Sequence, residues 1–321
     1  MPYPTAVSFL GIAKETTPGT AVAATDYIPV TSFEPKGEQT LLEDTGQRGS
    51  MVDVYDHIAG PTWATYGFAG NAHPDTFGYL LANITGDVAT TGASAPFSHT
   101  MAVKNSGDGQ PVTHTLTDFN GVSARRFAGA RFSEVNLSFD AEGLLAYTAS
   151  ATTFASVTGA TPTPSWGTLP PLANWQIAVT IGGSTVTTVE GGNISMKRTI
   201  SPITTADGTQ APYKLFAGPL SVTGAMTFVL EDESELARYE NNTKPIVVVD
   251  LVNGTSTALV EVKYTLSKAA YTSAVVARGK DWAEIEVDFH GDANITDAGA
   301  TGGYSPVKVL LKNAKASGTY A

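Results

Sequence analysis

The chain has 321 residues, a formal net charge of −11 and no cysteine, which excludes a disulfide framework and any thiolate metal site. Charged residues make up only 15% of it, below the quarter usual in soluble domains, so its surface is rich in small polar residues or buried against partners. The acidic balance excludes stable binding of nucleic acid through counterion release; Arg125-Arg126 and Lys197-Arg198 are isolated basic pairs. The N-terminal stretch has no basic region and too short an apolar run for a signal peptide. No stretch approaches the roughly 18 apolar residues of a spanning helix. These features predict a soluble protein made in a cytoplasm, without membrane contact.

Strand signals dominate from end to end. In the first half a helix is predicted over Pro74 to Ile84, where Phe77, Leu80, Leu81 and Ile84 fall at helical spacing and Pro74 suits the first position. Turns follow at Asp108-Gly109 and Asn120-Gly121, then an alternating strand from Phe132 to Phe139. The stretch from Gly159 to Pro171 is rich in proline and reads as a stiff extended linker. Beyond it, turns at Gly182-Gly183 and Asp207-Gly208 lead to a second short helix over Asp232 to Asn241, with acids in its first turn. The apolar run Ile246 to Leu251 suits a strand covered on both faces. Val260 to Tyr264 and Trp282 to Phe289 alternate; in the latter Ile285, Val287 and Phe289 share one face, Glu284, Glu286 and Asp288 the other.

Two echoes divide the chain. Tyr55-Asp56-His57-Ile58-Ala59-Gly60-Pro61 returns 158 residues later as Tyr213-Lys214-Leu215-Phe216-Ala217-Gly218-Pro219, and Thr65 and Thr223 keep that offset. Phe132 to Phe139 aligns with Trp282 to Phe289 at an offset of 150. Self-similarity of this order marks a duplication. The expected organisation is one β domain over 1–157, a linker over 158–171 and a second β domain over 172–321, each with one helix.

No catalytic constellation emerges. The five histidines (57, 73, 99, 114, 290) lack metal-motif spacing, and there is no nucleophile elbow, phosphate loop or dinucleotide fingerprint. Asn105 to Gly109 resembles a calcium loop only faintly, with Leu116 where a bidentate Glu is required. No enzyme activity and no cofactor are expected.

The opening Gly11-Ile12-Ala13-Lys14-Glu15-Thr16-Thr17-Pro18-Gly19-Thr20-Ala21, with Tyr27-Ile28-Pro29-Val30, resembles the N-terminus of tail tube proteins of long-tailed phages. Phe132 to Leu145, closing on Asp140-Ala141-Glu142-Gly143, is also similar to that family. The resemblance implies an all-β fold: packed antiparallel sheets, a flanking helix and a long loop that bridges to the next of a stack of rings. Candidate loops are Glu38 to Val54, with Glu43, Asp44 and Arg48, and Arg198 to Pro212, with Arg198 and Asp207. A duplicated unit implies a homotrimeric ring with pseudo-sixfold symmetry. The tube would sit in the virion tail, enclose a tape measure protein, meet terminator and distal tail proteins, and pass double-stranded DNA without holding it. An acidic lumen repels phosphates; Glu134 and Asp140 in the first half, and Glu284, Glu286 and Asp288 in the second, are candidates for it. The alternatives are another virion β-protein, such as a fibre or capsid decoration, or a carbohydrate-binding or adhesion module.

Overall fold

The computed structural model describes residues 3–320. Two antiparallel sheets enclose a single core. The wide sheet places eight strands side by side in the order Ser32–Asp44, Asp56–Asn71, Ala146–Phe154, Ala124–Asp140, Val189–Ile203, Lys214–Val229, Glu284–Gly291, Ala269–Ala277. Four of these come from each half of the chain. They meet at a seam where Glu134 to Asp140 pairs with Gly191 to Lys197 in antiparallel register.

The strand Ala124–Asp140 serves two neighbourhoods. Its first residues pair with His114–Phe119, which continues through Phe9–Lys14 to Asp26–Ile28. Gly129 marks the change of partners: its φ is +68°, and a Cβ there would meet the Phe154 ring at 2.6 Å. The smaller sheet runs Ser184–Val186, Ile177–Ile181, Val247–Asn253, Val260–Leu266, Lys308–Asn313, Phe97–Val103, Gly86–Thr91. Here too the halves interlock, because the C-terminal strand Lys308–Asn313 pairs with Phe97–Val103.

Alternation drives this arrangement. On the wide sheet Phe68, Val135, Met196, Met226 and Val287 point inward onto Val249, Val262 and Leu311 of the smaller sheet, in one continuous cluster. The run Ile246 to Leu251 is not covered on both faces. Val247, Val249 and Leu251 are buried, whereas Val248 and Asp250 are half-buried and Val252 is exposed. The smaller sheet has one core face and one open face, so half of this run remains outward.

Both helices form where the spacing predicts them, with different burial. α1 (Pro74–Thr85) ends on Gly86 in the left-handed region and is buried at every position but Asp75. α2 (Ser234–Glu240) buries only Glu235, which accepts from the Tyr271 hydroxyl and pairs with Arg238. The segment after Gly159 has little regular structure but is not free. Trp166 packs edge-on against Tyr27, the Leu169 carbonyl meets the His73 ring, and Leu172 is buried.

Asn83, buried on α1, ties the helix to the wide sheet. Its amide donates to Val112 O (3.1 Å), Ala130 O (2.9 Å) and His114 Nδ1 (2.8 Å), and its oxygen accepts from Phe132 N (2.8 Å). The His114 ring is therefore neutral, and burial pushes its pKa from 6.5 down to about 3. The unfolded chain takes up this proton first, so the stabilisation is complete above pH 6.5 and is lost as pH falls towards 3. Denaturant titrations of His114→Gln beside the unmodified chain at pH 7 and pH 4 check this. The variant is expected to lose less stability between the two pH values.

Candidate functional site

The face of the wide sheet turned away from the core is its open surface, and it is built from short polar side chains. Thr65, Gly67, Ala69, Thr148, Ser150, Asn136, Ser138, Asn193, Ser195, Thr223, Ala225 and Thr227 tile the centre in register across the strands. Such residues leave a sheet surface of small side chains with one open depression, between Glu34, Lys36, Thr65, Gly67 and Ser150, and the charges stand above it.

Of the acids predicted for this face, Glu134 and Asp140 lie on Ala124–Asp140, and Glu286 and Asp288 on Glu284–Gly291, with Asp140, Glu286 and Asp288 exposed. Glu134 is compensated across the seam by Lys197 at 3.0 Å. Glu284 departs from the expectation of a solvent-facing acid: it is buried, and Lys280 caps it at 2.6 Å while also holding Glu190 at 2.8 Å. Those two bonds raise the pKa of Lys280. Strand Ser32–Asp44 adds Glu34, Lys36 and Glu38, which alternation alone did not single out because Pro35 and Gly37 interrupt it. Lys36 pairs with Glu38 at 2.8 Å and holds that carboxyl below its ordinary range. Glu34, Asp140, Glu286 and Asp288 have no ion pair among the described residues, which leaves the face negative.

The two echoes fare differently. Residues 60–61 and 218–219 sit in matching bulges. Register slips between Gln39 and Leu41 opposite Thr62 and Ala59, and likewise between Arg198 and Ile200 opposite Leu220 and Ala217. A Cβ at Gly60 would meet Thr40 O at 2.9 Å, and one at Gly218 would meet Thr199 O at 3.3 Å, so glycine suits both crossings. The second echo, Phe132 to Phe139 against Trp282 to Phe289, joins strands that do not correspond. Glu284–Gly291 pairs with Lys214–Val229, as Ala146–Phe154 pairs with Asp56–Asn71. The counterpart of Ala124–Asp140 is thus Ala269–Ala277, and both carry a bulge, at Ser133 and at Thr272.

The candidate loops are shorter than predicted. Glu38 to Asp44 and Asp56 to Trp63 form a two-stranded ribbon, so Glu43 and Asp44 lie in strand, and only residues 45–55 with Arg48 are loop. In the second ribbon the strands reach Ile203 and restart at Lys214, and Asp207 turns the tip by accepting from Thr209 N at 3.0 Å. Arg198 is not in a loop at all. It is buried in Val189–Ile203, where burial and the nearby Arg131 push its guanidinium down to about 10. The seam beside it unites residues 51 to 63 positions apart, which local polarity does not signal.

Both ribbons leave the same end of the sheet, since Ser32–Asp44 and Val189–Ile203 run parallel to each other through alternating antiparallel partners. The first ribbon is exposed at Leu41, Leu42, Met51, Val52 and Ile58. The second leans on it through Thr62 N to Gln210 O at 2.8 Å.

Comparison with curated proteins gives no match. A protein-family model described as phage tail tube protein matches residues 5–302, across both halves, both ribbons and the open face. This chain of packed β-sheets, a structural protein of the virion tail and not an enzyme, belongs to the phage tail tube protein family.

Proposed function

We propose that three copies of the chain close a ring, that rings stack into a hollow tube, and that the open face of the wide sheet lines its channel. The observation that carries this reading is the seam. Ala124–Asp140 and Val189–Ile203 pair within the chain, and their counterparts Ala269–Ala277 and Ser32–Asp44 are the two unpaired edges of the same sheet. Long unpaired edges invite strand addition, and the bond pattern suited to them is already present inside the molecule. The matched bulges favour reading the two halves as copies of one unit, 1–157 and 172–321, so each ring would hold six units in three chains. Transferring the seam register places Ser273 opposite Glu38 of the next copy, Val275 opposite Lys36 and Ala277 opposite Glu34.

In such a channel Glu34, Asp140, Glu286 and Asp288 would face the passing DNA, and their repulsion of phosphates would prevent its retention. A tape measure protein, tail terminator and distal tail proteins would be the partners at the lumen and the ends. The test is assembly followed by charge reversal. Purified chain is expected to form rings or tubes in negative-stain images. A variant carrying Glu34→Lys, Glu286→Lys and Asp288→Lys is expected to assemble likewise but to retain DNA at low salt and release it at high salt. A monodisperse monomer at high concentration, even when seeded, would overturn the reading.

A further inference from the structure

Two arginines are buried where the halves of the wide sheet meet. Arg131 lies on Ala124–Asp140 and is 8% exposed; Arg198 lies on Val189–Ile203 and is 6% exposed. Neither has a carboxylate within 4.0 Å, since Arg48 and Arg238 alone of the arginines form ion pairs among the described residues. Arg198 donates no hydrogen bond to any described residue, and its Nε and Nη1 are closed off from solvent. Arg131 donates one, from Nη1 to Pro111 O at 2.9 Å, and its Nε is closed likewise. On both side chains Nη2 is the end left open and without a partner. Buried arginines are ordinarily paired, because an uncompensated interior charge is strongly destabilising.

The nearby acids do not answer these charges. Arg131 feels both Glu15 and Asp108. The Glu15 carboxylate is already spent on Gly19 N (2.7 Å), Thr113 Oγ1 (2.7 Å), Thr115 Oγ1 (2.8 Å) and Gly129 N (2.7 Å). Asp108 stands in an exposed turn, accepts from Gln110 N at 3.0 Å and faces Lys104 at 3.7 Å. Burial holds both guanidiniums below their ordinary range, and Arg131 lowers Arg198 further, to about 10, where it is still charged at neutral pH. A cavity of about 180 Å³ reaches Arg131; Gly129, Phe154, Leu215, Phe216 and a third cation, Lys214, also line it. Gln110, on the same wall, ties its loop to Ala217 through two bonds of 2.8 and 3.0 Å.

We propose that Arg131 and Arg198 form a binding site for a small free oxyanion of phosphate size, held between their open Nη2 groups. The N–H groups of two guanidiniums match the several oxygens of such an ion. The narrow opening selects a free ion over a carboxylate on another chain, which would have to bring its own backbone into the same small space. One arginine comes from each half of the chain, so the bound ion would replace repulsion at the seam by attraction to both sides. The site lies within a single chain and does not depend on the tube reading. On that reading, the counterparts of Arg131 and Arg198 at the edges between chains are Ala270 and Gln39, which carry no charge. A ring would then hold one ion in each chain and none between chains.

Calorimetric titration of inorganic phosphate into the full chain at neutral pH, with chloride at equal ionic strength as the reference, is expected to show saturable binding at one site per chain. Arg198→Met should weaken that binding about tenfold or more, the worth of a hydrogen bond to a charged group. Because Arg198 donates to no described residue, this variant strands no partner. In chloride it should unfold at the same urea concentration as the unmodified chain or a higher one. Phosphate should raise the unfolding midpoint of the unmodified chain and leave that of the variant where it was. Lys197→Met, which removes the adjacent charge from the open face, should bind phosphate like the unmodified chain. Absence of saturable binding to the unmodified chain would overturn the proposal whatever the variants do. Equal weakening by Lys197→Met and Arg198→Met would also overturn it, since the ion would then answer the general field of the surface.

Discussion

Oxidation of a Lys36→Cys, Val275→Cys double variant is expected to convert assembled protein into covalent trimers, with no larger band. The two positions face each other once the seam is copied to the outer edges, because Asn136 pairs with Ser195 at the seam and their counterparts are Val275 and Lys36. Directly opposed residues of an antiparallel pair place their Cα atoms roughly 4.5–5.5 Å apart, within the range a disulfide spans. Both side chains lie on the open face, so neither substitution disturbs the core. A closed ring of three offers three such links and then no free edge. Denaturing electrophoresis separates the outcomes: bands up to six chains would indicate a true hexamer of chains, and monomer alone in assembled material would show that these edges do not meet.

Asn83→Leu is expected to lower the free energy of unfolding by about 3–5 kcal/mol, among the largest effects of any single substitution. The side chain fills a site with almost no exposure; its two amide N–H groups are shared among three acceptors and its oxygen accepts from one donor. Leucine keeps the branching and heavy-atom count of asparagine, so no cavity forms, and its bulkier methyl groups add some overpacking. The loss comes from stranding the Val112 and Ala130 carbonyls, the Phe132 amide and the His114 ring without water. Equilibrium denaturation measures it. A change under about 1 kcal/mol would mean that the site admits solvent or repacks. The same substitution in the corresponding helix, Asn241→Leu, should be nearly neutral, because Asn241 caps α2 in solvent.

That contrast shows what can be read from this sequence. The echo at Gly60-Pro61 and Gly218-Pro219 was legible because the bulge crosses another backbone and admits only a small residue, so geometry left a mark on composition. The helix over residues 74–85 was legible from spacing. The second echo misled because several strands of the wide sheet alternate apolar and polar, and alternation identifies a strand without identifying which strand it is. Ser133 and Thr272, the second pair of matched bulges, resemble each other only after the pairing is known. The ribbon residues Glu38 to Asp44 read as loop because they are polar and exposed; cross-strand hydrogen bonds hold them, not burial. Arg198 reads as a surface charge because the chain around it, Arg131 included, is distant in sequence, and Glu284 because its partner Lys280, four residues before it, lies outside the alternating strand.

The seam also bears on how fast a ring could close. On the proposed reading each chain would bring two units already joined, their mutual concentration fixed by the polypeptide and not by the number of molecules in solution. A six-unit ring would then form from three bodies instead of six, with fewer than half as many losses of translational and rotational freedom. Incomplete rings would expose one edge of each kind, a pair matched in hand and register to a joint that every molecule builds when it folds. Folding would thus serve as a rehearsal for assembly: a chain whose seam fails to zip would carry no competent edge, and defective subunits would be excluded before they could poison a growing tube.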